Sequence, residues 1–243
     1  MIDLGFAKKL AKSYQTAQPY PHVVIDGFLQ DDRLIDDMMS EMHTFNLWGM
    51  DNKQTEHQDK KWFAPWNRES LENLPKITRQ VLDFFNSRSF LNYLTDLTGI
   101  QNLIADETFA GGGIHRIFSG GRLCVHTDFA LHPDFKHLYR RLNLLLYLNR
   151  DWDPAWGGSL RLYRHDSKKM THDIEPFANR AVIFNTTAKA LHGHPHPLAC
   201  PEDRCRYSLA LYYFTTEPPP EGHEGNLWAL WHKDADGPVV SEF

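Results

Sequence analysis

Cysteine is scarce in this chain: Cys124, Cys200 and Cys205 are the three in 243 residues. An odd, sparse set builds no disulfide framework, so a reducing cytoplasm is the expected compartment. No apolar run approaches the ~20 residues of a membrane span. The start Met1-Ile2-Asp3-Leu4-Gly5 lacks the basic-then-apolar pattern of a signal peptide, and none is expected. Positive charge is not in excess either. Lys and Arg total 26 against 31 Asp and Glu, a net charge of −5, which argues against a general affinity for nucleic acid or an anionic membrane. Internal repeats and low-complexity linkers are also missing.

What is present is ordinary for a water-soluble globular chain: 42% hydrophobic and 23% charged residues. The length suffices for one large β-rich domain or two small ones, and the pattern reads as one domain over 1–243. Its first part, 1–100, is helical or irregular, its β core spans about 102–216, and 217–243 form a tail. Residues 1–21 are mixed and polar. Residues 22–26 read as a short buried strand, and Asp31 or Asp32 is placed to cap the helix that follows. Leu34, Ile35, Met38, Met39 and Met42 recur at helical spacing, a core-packing stripe. Residues 48–72 are polar and aromatic without periodicity and read as a long irregular segment, a strand or lid near a site. Helices are expected over 76–86 and 90–97, the second ending at Gly99.

From about residue 102 the pattern turns to short strands separated by turns. Gly111-Gly112-Gly113 and Gly120-Gly121 bracket 114–118 and read as turn chemistry rather than phosphate binding, since no Lys-Ser/Thr pair follows. In 141–149, Leu142, Leu144, Leu146 and Leu148 share one strand face, which should pack on the N-terminal helices. Asn143, Leu145 and Tyr147 share the other, facing a barrel interior where polar groups need partners. Gly157-Gly158 turns into a strand over 159–163, and 180–185 form another. In the last strand, 206–214, Arg206, Ser208, Ala210 and Tyr212 lie on one face, and a buried Arg needs an anion. The charged stretch His132, Lys136, His137, Arg140 and Arg141 reads as solvated charge or as a basic rim facing substrate. The tail carries two tryptophans and should pack back in part.

The pattern that carries chemistry is His126-Thr127-Asp128. Residues i and i+2 of a strand point to one side, so an imidazole and a carboxylate aim at one point. A third ligand has to come from far along the chain, and His192 is the best placed, with His194 and His196 as nearby alternatives marked as loop residues by Pro195 and Pro197. Two His and one carboxylate leave one face of a metal open, the facial arrangement of non-haem Fe(II) oxygenases. Cys200 and Cys205 lack the second pair that a structural zinc site uses and read as inert thiols, and Cys124 as a small hydrophobe.

His126-x-Asp128, His192 64 positions after Asp128 and Arg206 14 positions after His192 together resemble the 2-oxoglutarate- and Fe(II)-dependent oxygenases. Tyr147-Leu148-Asn149-Arg150-Asp151-Trp152 followed by Gly157-Gly158-Ser159-Leu160 is similar to a block of their prolyl-4-hydroxylase-like branch. The likeness runs over about 113–216. It implies a double-stranded β-helix, an all-β jelly-roll core (cupin-like, α+β in all) backed by N-terminal helices. It implies His126, Asp128 and His192 as iron ligands, and Arg206, Tyr147, Asn143 and Ser208 as contacts of 2-oxoglutarate. His115 or Arg116 remain open as further contacts. Fe(II), 2-oxoglutarate, O2 and ascorbate are the implied cofactors. The implied reaction converts 2-oxoglutarate to succinate and CO2 while hydroxylating an unactivated C–H bond. The substrate would be a prolyl or other amino-acid-like side chain in a protein, peptide or small metabolite. Halogenating relatives lack the carboxylate that Asp128 supplies, so hydroxylation is the expected outcome. Two departures stand out: 193–203 look like an insertion, and Tyr212 stands where some relatives have Trp. A metal-free jelly-roll that binds a ligand or acts as a sensor is the competing class, but it would have no chemical reason to keep the triad with Arg206. Arg140 and Tyr212 are placed at the substrate rim, with 48–72 and 132–140 around it.

Overall fold

A computed structural model of the protein describes residues 1–50, 58–220 and 225–232. Part of the aromatic stretch, 51–57, lies outside the described residues, as do 221–224 and 233–243 of the tail. The helices are α1 (Ala7–Thr16), α2 (Arg33–Thr44), α3 (Arg68–Glu72), α4 (Lys76–Phe85) and α5 (Arg88–Thr98). The strands of the first half are β1 (His22–Asp26), β2 (Gly49–Met50), β3 (Gln58–Ala64), β4 (Ile104–Ala105) and β5 (Gly113–Thr127). Those that follow are β6 (Tyr139–Tyr147), β7 (Leu160–Tyr163), β8 (Met170–Ile174), β9 (Arg180–Asn185), β10 (Leu191–His194), β11 (Cys205–Thr215) and β12 (Leu230–Trp231).

The strands join in the order β1-β9-β6-β11-β5-β10-β7-β8, each antiparallel to its neighbour, with β3 and β12 on β5, β2 on β3 and β4 on β11. This is the expected jelly-roll: a curled antiparallel sheet with helices on its back and a cavity in front. Strand β5 is the shared element. Its first half pairs with β11 as far as Phe118, and its second half pairs with β10 from Leu123. The change of partner falls at Gly120, whose φ of +78° lets the strand bend. Gly120-Gly121 is therefore a bend inside one long strand, not the turn between two that the glycines alone suggest. The loop after β10 fastens it: Gly120 N–H donates to Leu198 O at 2.7 Å, and Leu198 N–H to Gly121 O at 2.9 Å.

Period-2 alternation divides the sheet into a dry back and a working front. Leu142, Leu144, Leu146 and Leu148 of β6 and its continuation, with Tyr207, Leu209, Leu211 and Tyr213 of β11, pack against Ile35, Met38 and Met42 of α2, Val81, Leu82 and Phe85 of α4, and Phe90, Leu94 and Leu97 of α5. Fully burying an aliphatic side chain of this kind stabilises by roughly 1.5–3 kcal/mol, so this face supplies much of the fold's driving force. The methionines of α2 are core, as their spacing predicts, and α5 ends at a left-handed Gly99.

Some expectations give way. Helix α1 lies within the stretch 1–21 that reads as merely polar; only Ala7 and Tyr14 of it are buried, so its apolar signal is thin. Asp32 occupies the N-cap of α2, but its carboxylate bonds no helix N–H. It faces Arg150 at 2.6 Å and accepts from Asn179 Nδ2 at 2.8 Å. The described part of 48–72 is regular: β3 pairs along β5, and α3 starts on a capping box built by Asn67 and Ser70. β8 was not expected and pairs with β7 at the sheet's end. Among the described residues, no helix is long and apolar enough to cross a membrane.

The Tyr-Leu-Asn-Arg stretch shows how one short run serves several layers. Leu148 is core, while Asn149 is a buried clamp. Its Nδ2 donates to Pro176 O at 2.7 Å and Tyr207 O at 3.1 Å, and its Oδ1 accepts from Tyr207 N–H at 2.7 Å. Arg150 reaches outward to Asp32 and Asp36 on α2. Removing Asn149 strands buried backbone groups, whereas the Arg150 pairs are solvent-screened. Asn149→Ala should therefore cost about 3 kcal/mol of unfolding free energy and Arg150→Ala less than about 1 kcal/mol. Urea denaturation of both variants checks this, and equal losses would contradict it.

Candidate active site

His126 sits near the end of β5 and His192 in β10, and the two are direct partners across the sheet. Each ring is oriented the same way. His126 Nδ1 lies 2.9 Å from Cys124 O, and His192 Nδ1 lies 2.9 Å from Ala190 O. A carbonyl oxygen can only accept, so Nδ1 carries the hydrogen and each Nε2 offers a lone pair inward. Asp128 faces both: His126 Nε2 is 3.6 Å from Oδ1 and His192 Nε2 is 3.5 Å from Oδ2. One ligand atom from each of the three lies within 4.8 Å of the others, a grouping that can hold a metal ion. Two neutral imidazole nitrogens and a carboxylate suit a first-row divalent cation with part of its coordination sphere open.

The charges are prepared for this. Burial alone would raise the Asp128 carboxyl, but Arg140 first, then His192 and His126, hold it well below the usual carboxylate range. Burial pushes His192 down to about 4 against the pull of Asp128, so near neutral pH no proton competes for its Nε2. Arg140 does not stand on an exposed rim. It is 3% exposed, donates to Asn143 Oδ1 at 2.9 and 2.6 Å, and lies 3.3 Å from Asp128 Oδ2. The cause is a register shift at the start of β6, where Tyr213 pairs with Leu142 but Phe214 pairs with Arg140. That irregularity turns Arg140 to the same face as Asn143. Tyr212 and Phe129 stack on its guanidinium, 3.4 and 4.3 Å from ring centroid to Cζ. The loop before it is anchored as well: His132 is buried, with Nδ1 accepting from Asp134 and Phe135 N–H and Nε2 3.4 Å from Asp106. Asn143 lines the cavity, and its amide donates to Asp128 Oδ2 at 2.7 Å, so it also positions the carboxylate.

A cavity of about 250 Å³ opens in front of these groups and runs on to Arg206 and Ser208. Arg206 is 4% exposed. Its Nε donates to Gly158 O at 2.7 Å and its Nη2 to Tyr147 OH at 3.3 Å. Burial lowers its pKa, and among the described residues no carboxylate stands against it. Tyr147 is fully buried beneath. His115 lines the cavity, with Nε2 on Gly111 O at 3.0 Å. Arg116 stacks on Phe118 at 4.4 Å and does not line the cavity.

Several lining groups escape a reading of the sequence. Gln58 and Lys61 come from β3, Ala229 and Trp231 from the tail, and His194 from β10. His194 is a buried strand residue, not part of a loop. β12 pairs with β5 at His126 and Thr127, and the Trp231 ring is 5.1 Å from that of His126. Asn226 Nδ2 donates to Asp128 O at 3.0 Å. The packed-back tail was foreseen in kind, but not its place beside the triad. The cysteines form no disulfide, and Cys200 Sγ donates to Arg204 O at 3.5 Å.

A jelly-roll that brings two imidazoles and a carboxylate together beside a buried guanidinium defines a class, the mononuclear metal-site proteins of this fold. Residues 112–235 match the family model of the 2OG-Fe(II) oxygenase superfamily, and the chain belongs to that family, whose members are 2-oxoglutarate-dependent oxygenases using Fe(II). A relative from Xenopus laevis, prolyl 3-hydroxylase OGFOD1, is 24% identical over 211 residues, covering 84% of this chain and 37% of that protein. The chain spans about a third of the length of the curated relatives it matches. Among solved structures, a Trichoplax adhaerens prolyl hydroxylase bound to a hypoxia inducible factor peptide fragment aligns with a TM-score of 0.59 at 14% identity, covering 87% of this chain and 90% of that one. HygX from Streptomyces hygroscopicus, with nickel and 2-oxoglutarate bound, aligns at 0.58 and 13%, covering 86% and 87%. At such identities the likeness is one of fold.

Arg140→Met keeps apolar bulk against Tyr212 and Phe129 but leaves Asp128 without its cationic partner. Divalent-metal affinity should fall about tenfold or more, as it does when outer-sphere partners of a ligand are removed. Calorimetric titration with Mn(II) measures this, and an unchanged affinity would show that Asp128 needs no such support.

Proposed function

We propose that His126, Asp128 and His192 hold Fe(II), that Arg206 binds the distal carboxylate of 2-oxoglutarate, and that the protein hydroxylates a C–H bond of a prolyl or similar amino-acid-like group. One observation carries the reading: three metal-competent ligands and a buried, uncompensated guanidinium open onto the same cavity. A buried cation without a counter-ion is costly, and a dicarboxylate reaching from metal to Arg206 would remove that cost. The prolyl assignment draws on OGFOD1 and on the peptide-bound prolyl hydroxylase; a small metabolite is the next substrate class, given HygX with hygromycin B bound. The domain is read as a single unit over 1–243, and ascorbate as an accessory reductant belongs to the same proposal.

Loaded with Fe(II) and 2-oxoglutarate, such a site supplies an oxidation in which O2 gives one atom to succinate, formed with CO2, and one to the substrate C–H bond. The chain's own residues bind, orient and shield. His126 and His192 turn Nε2 toward the metal position because their Nδ1 atoms are engaged by carbonyls. Asp128 stays ionised and is held by Asn143 and Arg140. Tyr147 supports Arg206 through its hydroxyl, and Ser208 adds a hydroxyl to the cavity wall. Leu145, Leu160 and Ile117 add apolar side chains to the lining, which strengthens the electrostatic contacts beside them. Tyr212 packs on Arg140 at the wall where substrate would enter.

Alanine at His126, Asp128 or His192 should each abolish stoichiometric iron after anaerobic reconstitution, while His194→Ala retains it. Full iron in His192→Ala with loss in His194→Ala would reassign the distal ligand. Arg206→Ala should keep iron but weaken 2-oxoglutarate by about two to three decades, read from the charge-transfer absorbance of the anaerobic complex. Incubation of the loaded enzyme with peptide and metabolite pools should yield a product one oxygen atom heavier. Iron and cosubstrate binding without any oxygenated product would favour a catalytically silent sensor.

A further inference from the structure

β10 carries a second inward histidine. His194 follows His192 by two residues, so both side chains leave the strand on one side, and both line the cavity. The glycine between them is required by packing. A Cβ at Gly193 would stand 2.8 Å from Cys124 O and 2.9 Å from Leu123 O, closer than a β-carbon tolerates. β10 is thus pressed onto β5 and its two histidines are fixed.

The histidines differ in what they do with their nitrogens. His126, His192 and His115 each engage a carbonyl with one ring nitrogen. His194 is 4% exposed, and among the described residues neither Nδ1 nor Nε2 has a hydrogen-bond partner. An imidazole always carries at least one N–H, so a buried donor without an acceptor faces this cavity. Such groups are rare in folded proteins and call for a reason. The ring shares the cavity wall with His192 and Arg206.

We propose that His194 is a contact of 2-oxoglutarate, its ring N–H donating to an oxygen of the bound dicarboxylate while Arg206 holds the distal carboxylate. This rests on the reading of the site as a 2-oxoglutarate site. The unsatisfied nitrogen is then the empty half of a binding interaction, and the ligand supplies the missing acceptor. A hydrogen bond to a charged oxygen is worth about ten- to a hundredfold in affinity.

The test uses the full chain loaded anaerobically with Fe(II) and titrated with 2-oxoglutarate, followed by charge-transfer absorbance. His194→Val should weaken 2-oxoglutarate about ten- to a hundredfold with iron content unchanged. His194→Gln, which keeps a donor, should recover part of the loss. The melting temperature of metal-free His194→Val should hold or rise, because the variant removes an unsatisfied buried group. A fall in melting temperature alongside affinity in both variants would mark a structural role and overturn the proposal. A second readout needs no folded variant: in Zn(II)-loaded wild type with 15N-labelled histidine, ring resonances assigned by comparison with His194→Gln should move on adding 2-oxoglutarate. Unmoved resonances at saturation, or unchanged affinity in His194→Val, overturn the contact while leaving the cosubstrate reading intact. Failure of the wild type to bind 2-oxoglutarate at all would overturn both.

Discussion

The charge on Asp128 is the constraint around which the rest of the molecule is arranged. A carboxylate this deep in a barrel is unfavourable unless it is surrounded by donors. Here the donors come from separate parts of the chain. Asn143 and Arg140 reach it from β6, and Asn226 of the tail grips its backbone carbonyl, while His192 faces it from β10. Arg140 needs support in turn, which it receives from Tyr212 of β11 and Phe129 of the following loop. One negative group thus ties β5, β6, β10, β11 and the tail into a common geometry. The imidazoles are held at their outer nitrogens by carbonyls two residues back, so their inner nitrogens stay free whether or not an ion is bound.

The second constraint is the charge that has no partner. In the described part of the cavity Asp128 is matched by Arg140, while Arg206 stands alone with only a phenol and a carbonyl. In the proposed reading a divalent cation and a dicarboxylate enter as an electrically neutral pair. Either one alone worsens the local balance more than the two together. A metal adds positive charge to a site already holding Arg206, and a dicarboxylate without metal has only one cationic anchor. Each ligand should therefore favour the other, a coupling that follows from the placement of the charges rather than from any movement of the fold.

Much of this was legible in the residues because it rests on short-range periodicity. The alternation in β6 separates Leu142, Leu144 and Leu146 from Asn143 and Tyr147, and the structure puts the first set on the helices, Asn143 on the cavity and Tyr147 beneath Arg206. The alternation in β11 likewise turns Arg206 and Ser208 inward, and His126-x-Asp128 needs only the i, i+2 geometry of a strand end. What escaped depends on pairings between distant segments. Arg140 falls on the outer face if alternation is extended from Leu142, and only the register shift against β11 turns it in. His194 stands directly before Pro195 and reads as loop, yet its place is decided by β5, on which β10 is pressed. Strand β3 has little alternation of its own and is held as a strand by its pairing along β5.

The two ends of the cavity also differ in how they are built. The triad and Arg206 stand on strands whose backs are buried under helices or on strands paired from both sides, so their positions are over-determined. The opening is assembled from edges. Gln58 and Lys61 on β3, and Ala229 and Trp231 beside β12, both reach the cavity from strands added to β5, one from before the β core and one from after it. Neither segment belongs to the main path of the sheet, but the tail also reaches the triad, through Asn226 on Asp128 O and Trp231 beside His126. In the proposed reading, discrimination between a prolyl peptide and a small metabolite would fall to the two added strands, whereas the 132–140 loop, with His132 buried on Asp106 and Arg140 beside Asp128, supports the carboxylate.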